Sequence, residues 1–414
     1  MQNVRILLML IWCLCSVLHE SVAQAIVWSN FSHPLQRATY DAGFSSDGTK
    51  VLSGSECHEA HIRVFDAANG SILWDYQLDS SLFCIQGVKF SSNGTMFLAI
   101  EETGNLLVFD YSSGTPVIAD TIVTGNSVAL SVDINTAGSE VLLGCNNQLK
   151  VYNFTTNSFT NTIQAHNGFI WSVNYSASEQ RIVTASSDNL AKVWSSAGIL
   201  ELTLTGSTGD VLCAKFSKDD SLIVISGRDD KIRVYDAITG ASVNVLSGHT
   251  GDINKIDISP DNRFIASASF DATIKIWELE TGTLLATIPD TSGFFVYSVE
   301  WSPDGTKLIA GNGATQVILY DVDAITGITP ISASSLVKCH PNPIKSGARM
   351  YISSETKKII SVELVNIKGQ SLFMRSDDSN GIQFIDFPDL SDGIYFYRLL
   401  TEDGLLVSRQ IVVN

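Results

Sequence analysis

The amino-acid sequence predicts an all-β fold in which one short unit is repeated seven times, and three observations support this. An apolar residue followed by a small polar residue and a turn recurs at Phe44, Phe90, Ile134, Tyr175, Phe216, Ile258 and Trp301. A strand ending in an aromatic residue recurs at Phe65, Phe109, Tyr152, Trp194, Tyr235, Trp277 and Tyr320. Within the units apolar and polar residues alternate, which is the period of a strand with one buried face, and helical periodicity is absent.

The spacing of the units indicates their size. From Phe65 to Tyr320 the chain covers 255 residues in six steps, about 42.5 residues per step. Four short strands with their turns fill such a unit, which is the size of one β-propeller blade. The sequence therefore predicts a seven-bladed β-propeller over residues 24–323. Because an open ring would leave an unpaired sheet edge, we expect the lone strand at residues 25–28 to complete the seventh blade.

The N-terminus carries the only strongly hydrophobic run of the sequence. Arg5 precedes an apolar stretch at residues 6–18, and small residues follow at Ser21, Ala23 and Ala25. This stretch is shorter than the roughly 20 residues that a membrane-spanning helix needs. We interpret residues 1–23 as a signal peptide, which leaves five cysteines in the mature chain and predicts that disulfides are at most an accessory.

Charge limits the partners. The 414 residues include 26 Lys and Arg against 43 Asp and Glu, a formal charge of −17. Such a polyanion repels phosphate backbones and anionic lipid headgroups, so we expect neither nucleic acid binding nor direct membrane insertion. We also predict that the protein is a monomer. Residues 336–414 hold nine basic and nine acidic residues, so the excess charge lies before them.

Units four to six contain motifs that resemble WD repeats. Unit six contains Gly248-His249, then Ser267 with Asp271, and a strand ending in Trp277; His166, Asp188 and Trp194 in unit four repeat both spacings. In unit five, Asp229 and Tyr235 keep the second spacing, but Ser207 replaces the histidine. The resemblance implies that the six tether residues, His166, Asp188, Trp194, His249, Asp271 and Trp277, form hydrogen-bonded structural links and no catalytic dyad. Units one, two, three and seven lack the His and Asp pair, and we expect them to be held less rigidly.

The C-terminal part resembles the type A sorting domain of the type IX secretion system of Bacteroidota. After a linker at residues 324–335, the matching features are Pro341-Asn342-Pro343, the run from Leu390 to Phe396 with Gly393 and Tyr395, and the terminal strand ending in Val413. The resemblance implies a small seven-stranded immunoglobulin-like β-sandwich at residues 336–414, recognised by the export machinery, and a protein that is secreted or attached to the outer surface. A plain adhesion domain of the same fold is the alternative.

Propellers usually bind ligands on the face where the loops between blades converge. Aligning the units places ten candidate binding residues there: Tyr40, Phe169, Trp171, Asp210, Arg228, Asp252, Asn254, Phe270, Phe295 and Tyr297, with Gln86 and Leu212 at equivalent positions. Aromatic anchors among carboxylates suit a protein, a peptide or a glycan. The alternative is that Trp171 and Tyr297 only fill the central tunnel.

One loop departs from the repeat and two interpretations of it stay open. Residues 56–61 bunch Glu56, Cys57, His58, Glu59 and His61, but their spacing matches no zinc motif. Cys57 could instead form a disulfide with Cys84, since both are expected at the joint of blades one and two. Because the spacing matches no zinc motif, we predict no metal site in this loop, and we predict no cofactor for the protein.

No catalytic set emerges from the sequence. The chain has no nucleophile elbow, no phosphate-binding loop and no dinucleotide-binding motif, and its seven histidines do not form an acid, base and nucleophile set. We predict a secreted, non-catalytic binding scaffold with no catalytic residues. The alternative is a propeller-type hydrolase or quinoprotein-like enzyme, which convergent histidines and carboxylates around the tunnel would favour.

Overall fold

Seven four-stranded antiparallel sheets make up the first part of the chain in a computed structural model. The structure describes residues 26–31, 38–55, 60–78, 84–125, 128–290 and 292–323, and the backbone of 338–340, 349–353, 359–366, 371–376, 384–386, 393–401 and 406–413. Two compact units divide the chain, Met1–Pro330 and Ile331–Asn414. The predicted signal peptide and the predicted linker lie outside the described residues and stay predictions.

Each blade runs from an inner to an outer strand in chain order. Blades one to three are β2 (Thr39–Phe44), β3 (Lys50–Ser55), β4 (His61–Asp66), β5 (Ile72–Gln77); β6 (Ile85–Phe90), β7 (Met96–Glu101), β8 (Asn105–Asp110), β9 (Val117–Val123); and β10 (Ala129–Ile134), β11 (Glu140–Cys145), β12 (Gln148–Asn153), β13 (Ser158–Gln164). Blades four and five are β14 (Ile170–Tyr175), β15 (Arg181–Ser186), β16 (Ala191–Ser195), β17 (Leu200–Leu204); and β18 (Val211–Phe216), β19 (Leu222–Gly227), β20 (Lys231–Asp236), β21 (Ser242–Ser247). Blades six and seven are β22 (Ile253–Ile258), β23 (Phe264–Ser269), β24 (Thr273–Glu278), β25 (Leu284–Pro289); and β26 (Val296–Trp301), β27 (Lys307–Asn312), β28 (Gln316–Asp321) with β1 (Ile26–Phe31).

The inner strands contact one another in cyclic order, β2 to β6, β10, β14, β18, β22, β26 and back to β2. The ring is therefore closed, and the prediction of a seven-bladed propeller is confirmed. Burial follows from this arrangement. The second strand of a blade is almost continuously buried because neighbouring blades cover both of its faces, as in β23, whereas the outer strand β5 alternates between partly buried and exposed residues.

Apolar clusters between the blades form the core. Between blades six and seven, Phe264 and Ile276 pack with Val299 and Trp301, and all four side chains are buried. A second cluster joins blades one and two and includes Phe97 and Phe109, whose stacked rings lie 4.7 Å apart. The repeated alternation in the sequence therefore places one apolar layer at each junction.

The N-terminal strand closes the ring, as the sequence predicted. β1 pairs antiparallel with β28, with Ser29 opposite Ile318. It also contacts blade one: the indole N–H of Trp28 donates to the carbonyl of Ala67 at 2.9 Å, and Arg63 Nη1 donates to the carbonyl of Phe31 at 2.7 Å. Gly70 has φ +72°, and a Cβ there would lie 2.6 Å from Trp28, so this turn admits the indole only with glycine. The closing strand thus fastens two blades.

Within its described residues, the C-terminal unit contains seven strands in two antiparallel sheets. They are β29 (Lys338–His340), β30 (Arg349–Ser353), β31 (Ile359–Asn366), β32 (Ser371–Ser376), β33 (Phe384–Asp386), β34 (Gly393–Thr401) and β35 (Leu406–Val413). One sheet has the order β29-β30-β33 and the other β32-β31-β34-β35. Gly393 and Tyr395 lie in β34, while Pro341, Asn342 and Pro343 lie outside the described residues. The immunoglobulin-like fold of this unit stays a prediction.

Candidate binding site at the tunnel mouth

A β-bulge recurs at the start of every inner strand and determines what faces the central tunnel. In each blade the pairing of the first two strands skips one residue, for example between Val296 and Ser298 in β26. A bulge re-aims the extra side chain. The skipped residues are Tyr40, Gln86, Leu130, Trp171, Leu212, Asn254 and Tyr297, and all seven line one cavity of about 300 Å³. Six of these positions were predicted from the sequence and Leu130 was missed.

A second set of positions surrounds this cavity at the rim. In blades two to seven, the residue before the inner strand accepts a backbone hydrogen bond from the turn between the second and third strands of its blade. The amide of Arg228 donates to Asp210 and that of Phe270 donates to Asp252, both at 2.9 Å. Each of these blades therefore places two residues at the rim, and in blade seven one of them, Gly313, has no side chain. Phe169 and Phe295 also precede inner strands, and their side chains are exposed.

Blades six, seven and one bring four rings together at the mouth. The centroid of Phe270 lies 4.9 Å from that of Phe295 and 5.1 Å from that of Tyr297, and Tyr40 lies 5.2 Å from Tyr297. We call Tyr40, Phe270, Phe295 and Tyr297 the aromatic arc. Phe294 and Phe295 are each about half exposed, so the arc runs from the tunnel to the open surface.

The facing part of the mouth combines an arginine, an indole and two carboxylates. The guanidinium of Arg228 lies 5.5 Å from the ring centroid of Trp171, a cation–π distance. It is 3.2 Å from Asp210 and 3.7 Å from Asp252. Burial raises the pKa of Asp252; Arg228 opposes the rise, while Asp230 and Asp210 add to it. The indole N–H of Trp171 is buried and has no hydrogen-bond partner among the described residues.

Ion pairs line the tunnel below the mouth. Lys215 lies 2.7 Å from Asp257, Lys255 pairs with Asp41, and Lys89 lies 3.8 Å from Asp133. Burial opposes the charge of Lys215, yet Asp257 and Glu300 raise its pKa above the ordinary value. Burial likewise opposes the charge of Lys89, whose pKa is nevertheless raised by Asp133 and Glu300. The tunnel interior therefore favours positive charge.

These carboxylates also join neighbouring blades. Asp257 accepts the amide of Trp301 at 2.8 Å, and Glu300 accepts the amide of Phe44 at 2.9 Å. Gly43 leaves the space for Glu300, because a Cβ there would lie 3.1 Å from its oxygens. Sequence reasoning missed this ring of residues, which precede the first landmark of each unit: Gly43, Lys89, Asp133, Asn174, Lys215, Asp257 and Glu300. Polar residues at six of seven equivalent positions were the available signal.

The structure brings the predicted tether residues together in blades four and six. In blade six, His249 Nδ1 lies 2.8 Å from Asp271, and its Nε2 lies 2.7 Å from Ser267 Oγ, which accepts the indole N–H of Trp277 at 2.9 Å. In blade four, His166 makes the same contacts with Asp188 at 3.0 Å and Thr184 at 2.8 Å, and Trp194 donates to Thr184 at 3.0 Å. Burial lowers the pKa of His166 despite the carboxylate beside it.

Blades five and seven make related links with other residues. In blade five Arg233 binds Asp229 through two nitrogens, at 2.6 and 3.1 Å. In blade seven Asn312 donates its side-chain N–H to Asp290 at 2.8 Å, and both residues are buried. Sequence reasoning had expected looser attachment of blade seven. The separation of 22 residues between Asp290 and Asn312 matches that of the His and Asp pairs and could have indicated this link.

The unusual loop after β3 is described only in part. Residues 56–59 lie outside the described residues, so the metal hypothesis there is not tested. His61 Nδ1 lies 2.6 Å from Asp75, which also accepts from Arg63. Cys84 is disulfide-bonded, whereas its predicted partner Cys57 falls outside the described part, so the pairing stays a prediction. In the described ranges no group of three metal-ligating side chains occurs, and no helix there is long and apolar enough to cross a bilayer.

Comparison with protein families identifies four of the repeats. The model for the WD domain, G-beta repeat, matches residues 157–195, 198–236, 240–278 and 282–321. Each match begins in or just before the outer strand of one blade and ends at the third strand of the next, so the sequence repeat is offset from the blade by one strand. Residues 338–414 match the secretion system C-terminal sorting domain.

Curated relatives share parts of the propeller sequence. The chain is 31% identical over 126 residues to U3 small nucleolar RNA-associated protein 12 of Saccharomyces cerevisiae, covering 26% of this chain and 13% of the relative. It is 26% identical over 222 residues to human apoptotic protease-activating factor 1, covering 53% and 14%. It is 25% identical over 103 residues to the serine-threonine kinase receptor-associated protein of Dictyostelium discoideum, covering 25% and 35%.

The match thus spans about a third or less of each relative's length. Three observations assign the two parts of the chain to families: the propeller topology, the four repeat matches and the match of the C-terminal residues. The sorting domain directs it through the type IX secretion system to the cell surface or the exterior. The chain is a WD-repeat β-propeller protein with a C-terminal sorting domain of that system.

Proposed function

We propose that the exported propeller is a non-catalytic scaffold that captures a protein, peptide or glycan at its tunnel mouth. The observation that carries this proposal is the convergence of the seven bulge residues on one cavity, continued outward by the aromatic arc. Concave sites lined by aromatic side chains and a few polar groups are the usual form of ligand sites. The relatives named as associated with an RNA or a receptor support a role in association.

The absence of a catalytic function is part of the proposal. No histidine is among the described residues that line the cavity. His166 and His249 are buried, and the hydroxyl that each contacts, Thr184 or Ser267, is fully buried and accepts the indole N–H of a tryptophan, so a substrate does not reach them. The described part of the mouth therefore offers anchors and charges for binding, and no observation favours the hydrolase or quinoprotein alternative.

A capture experiment with matched variants tests the proposal. Wild-type protein and the variant Phe169→Ala/Trp171→Ala/Phe295→Ala/Tyr297→Ala are immobilised and exposed to cell-surface extract, and retained species are quantified by mass spectrometry. The control carries Phe159→Ala and Ile238→Ala, two exposed apolar residues away from the mouth. We expect species retained by the wild type and the control to be lost from the mouth variant, with similar unfolding midpoints. Equal retention by all three proteins would contradict the proposal.

A further inference from the structure

Among the described residues, four cations and three carboxylates line the tunnel and its mouth, and three further carboxylates outside this lining pair with those cations. The described cations are Lys89, Lys215, Arg228 and Lys255. The carboxylates that line the cavity or pair with these cations are Asp41, Asp133, Asp210, Asp252, Asp257 and Glu300. Three lysines are each matched to one aspartate. Arg228 is shared by Asp210 and Asp252, so one of these two and Glu300 remain uncompensated.

The blades that supply most of the aromatic arc also supply two of these carboxylates. Asp252 precedes the inner strand of blade six and Glu300 lies in that of blade seven, the blades that supply Phe270, Phe295 and Tyr297. No ion pair joins Glu300 to a cation within the described ranges, and its Oε1 accepts the amide of Phe44. Aromatic faces attract cations electrostatically, most strongly where water is excluded. Carboxylates and ring faces together therefore suit a positively charged group.

The raised pKa values point the same way. Although burial disfavours their charge, the pKa values of Lys89 and Lys215 are raised, and Glu300 contributes to both shifts. The carboxylates therefore outweigh the effect of burial on the charge of both lysines. The same attraction acts on an ammonium or guanidinium group of a ligand.

The dimensions and the rim indicate how such a cation is presented. A cavity of about 300 Å³ accommodates one long side chain rather than a folded element. Phe169, Phe294 and Phe295 are exposed around it and offer apolar contacts to flanking residues. The indole N–H of Trp171 is a donor without an acceptor among the described residues, and a peptide carbonyl would supply one. These features favour a polypeptide over a free amine.

We infer that the mouth binds a polypeptide segment by inserting one lysine or arginine side chain between the aromatic arc and the carboxylates of Asp252 and Glu300, with apolar neighbours on the exposed phenylalanines. This inference rests on the proposed capture function and adds the ligand class. Lysine or arginine at the centre makes the contacts, because both carry a charge at the end of a long aliphatic stem.

Positional peptide pools test the inference. The probes are four pools of fluorescein-labelled, acetylated and amidated nonapeptides, randomised except for a central Lys, Arg, Glu or Leu. Fluorescence anisotropy is measured with the full chain and with Glu300→Gln, Asp252→Asn and Phe295→Ala. The control is Asp120→Asn, which removes the same charge from the outer strand of blade two. The amide oxygen introduced by Glu300→Gln can still accept the N–H of Phe44, so this variant is expected to fold.

We expect the Lys and Arg pools to bind at least roughly tenfold more tightly than the Glu and Leu pools. Glu300→Gln and Asp252→Asn should each weaken that binding by about tenfold, while Asp120→Asn leaves it unchanged. 1,5-Diaminopentane is added as a competitor, and displacement at the peptide's own concentration would assign the site to free amines and overturn the polypeptide inference. If Phe295→Ala abolishes binding but the pools show no preference for a central Lys or Arg, the assignment of a basic ligand is overturned while capture at the mouth stands. No binding by any pool would overturn the inference and leave the capture function to the extract experiment, whereas binding indifferent to all three mouth variants would also contradict peptide capture at the mouth.

Discussion

Blades four to six and blades one to three use the same four-stranded unit but fasten it differently. In blades four, five and six a nearly buried aspartate, Asp188, Asp229 or Asp271, is held in the turn between the second and third strands by a histidine or an arginine. In blade three the corresponding turn is held by Asn146, which accepts the amide of Val128 at 3.1 Å. Blade one places its charged cluster, His61, Arg63 and Asp75, on its two outer strands instead.

This difference shows which features specify the fold and which ones add stability. The alternating strands and the bulge occur in all seven blades, including the three that the WD-repeat model does not match. Among the described residues, the aspartate links of these turns occur only within the matched part. We conclude that strand patterning builds the blade, and that the polar links determine how firmly each turn is held. The following predictions test this division.

The largest effect is expected where the ring closes, between blades seven and one. Removing residues 25–31 takes away the outer strand of blade seven, exposes the edge of β28 and removes buried Trp28. Burial of one Trp side chain alone accounts for roughly 3–5 kcal/mol, and the loss of seven residues should exceed this. We expect the chain that lacks residues 25–31 to be unfolded already at 37 °C, so that circular dichroism detects no cooperative unfolding transition above that temperature. Val27→Ser, at an exposed position of the same strand, should unfold like the wild type. A truncated chain that unfolds at the wild-type temperature would show that the ring does not need its closing strand.

The next largest effect is expected for the link in blade six. Asp271→Ala leaves His249, the amide of Thr250 and the amide and hydroxyl of Thr273 without their acceptor. Leaving a buried donor without its acceptor costs about 1–3 kcal/mol, and the four donors affected here place the loss near the upper end of that range or above it. Equilibrium urea unfolding measures the difference.

The matched change in blade three should cost less. Asn146→Ala removes a neutral hydrogen bond, worth about 1 kcal/mol. If the two substitutions destabilise the propeller equally, the difference between the two regions does not lie in these links.

Acidification should weaken the linked blades first. Burial acts to raise the pKa of Asp188, but the backbone amide of Asn167 and the imidazole of His166 hold this pKa below the ordinary 3.8. Burial also lowers the pKa of His166 below its ordinary 6.5. A depressed carboxyl pKa stabilises the fold above pH 3.8 and the contribution is lost as the pH falls. A depressed histidine pKa means that the unfolded chain takes up its proton first, so stability also falls as the pH drops below 6.5. His166→Gln should flatten the dependence of unfolding free energy on pH between 6.5 and 5, whereas Asn146→Ala should retain the wild-type slope. Identical slopes in both variants would contradict this assignment.

Much of this architecture could be predicted from the sequence, because each blade repeats its landmarks at nearly constant spacing. The seven blades, the closing strand and six of the seven bulge positions followed from that spacing. Leu130 was missed although Leu212, also aliphatic, was found at the equivalent position; in both blades the bulge turns the leucine to the tunnel. The Arg233 to Asp229 pair and the Asp290 to Asn312 pair use residue types outside the family motif.

The charges of the tunnel were harder to predict, since their roles depend on which blades face one another. Lys255 in blade six pairs with Asp41 in blade one, although blade seven lies between them in the ring. Their separation of 214 residues gives no local signal. Glu300 and Phe44 likewise meet only because the ring closes. Contacts of this kind follow from closure, and a pattern within one unit does not contain them.

Capture at the tunnel mouth is tested most directly by measuring where on the propeller a ligand is held. A photo-crosslinking benzoylphenylalanine replaces Phe295 at the mouth in one protein and Phe159 on the outer strand of blade three in another. Both positions are exposed, at 50% and 36%. After irradiation in cell-surface extract, we expect discrete crosslinked species from position 295 that are absent from position 159. The same species from both positions, or none from position 295, would contradict ligand capture at the tunnel mouth.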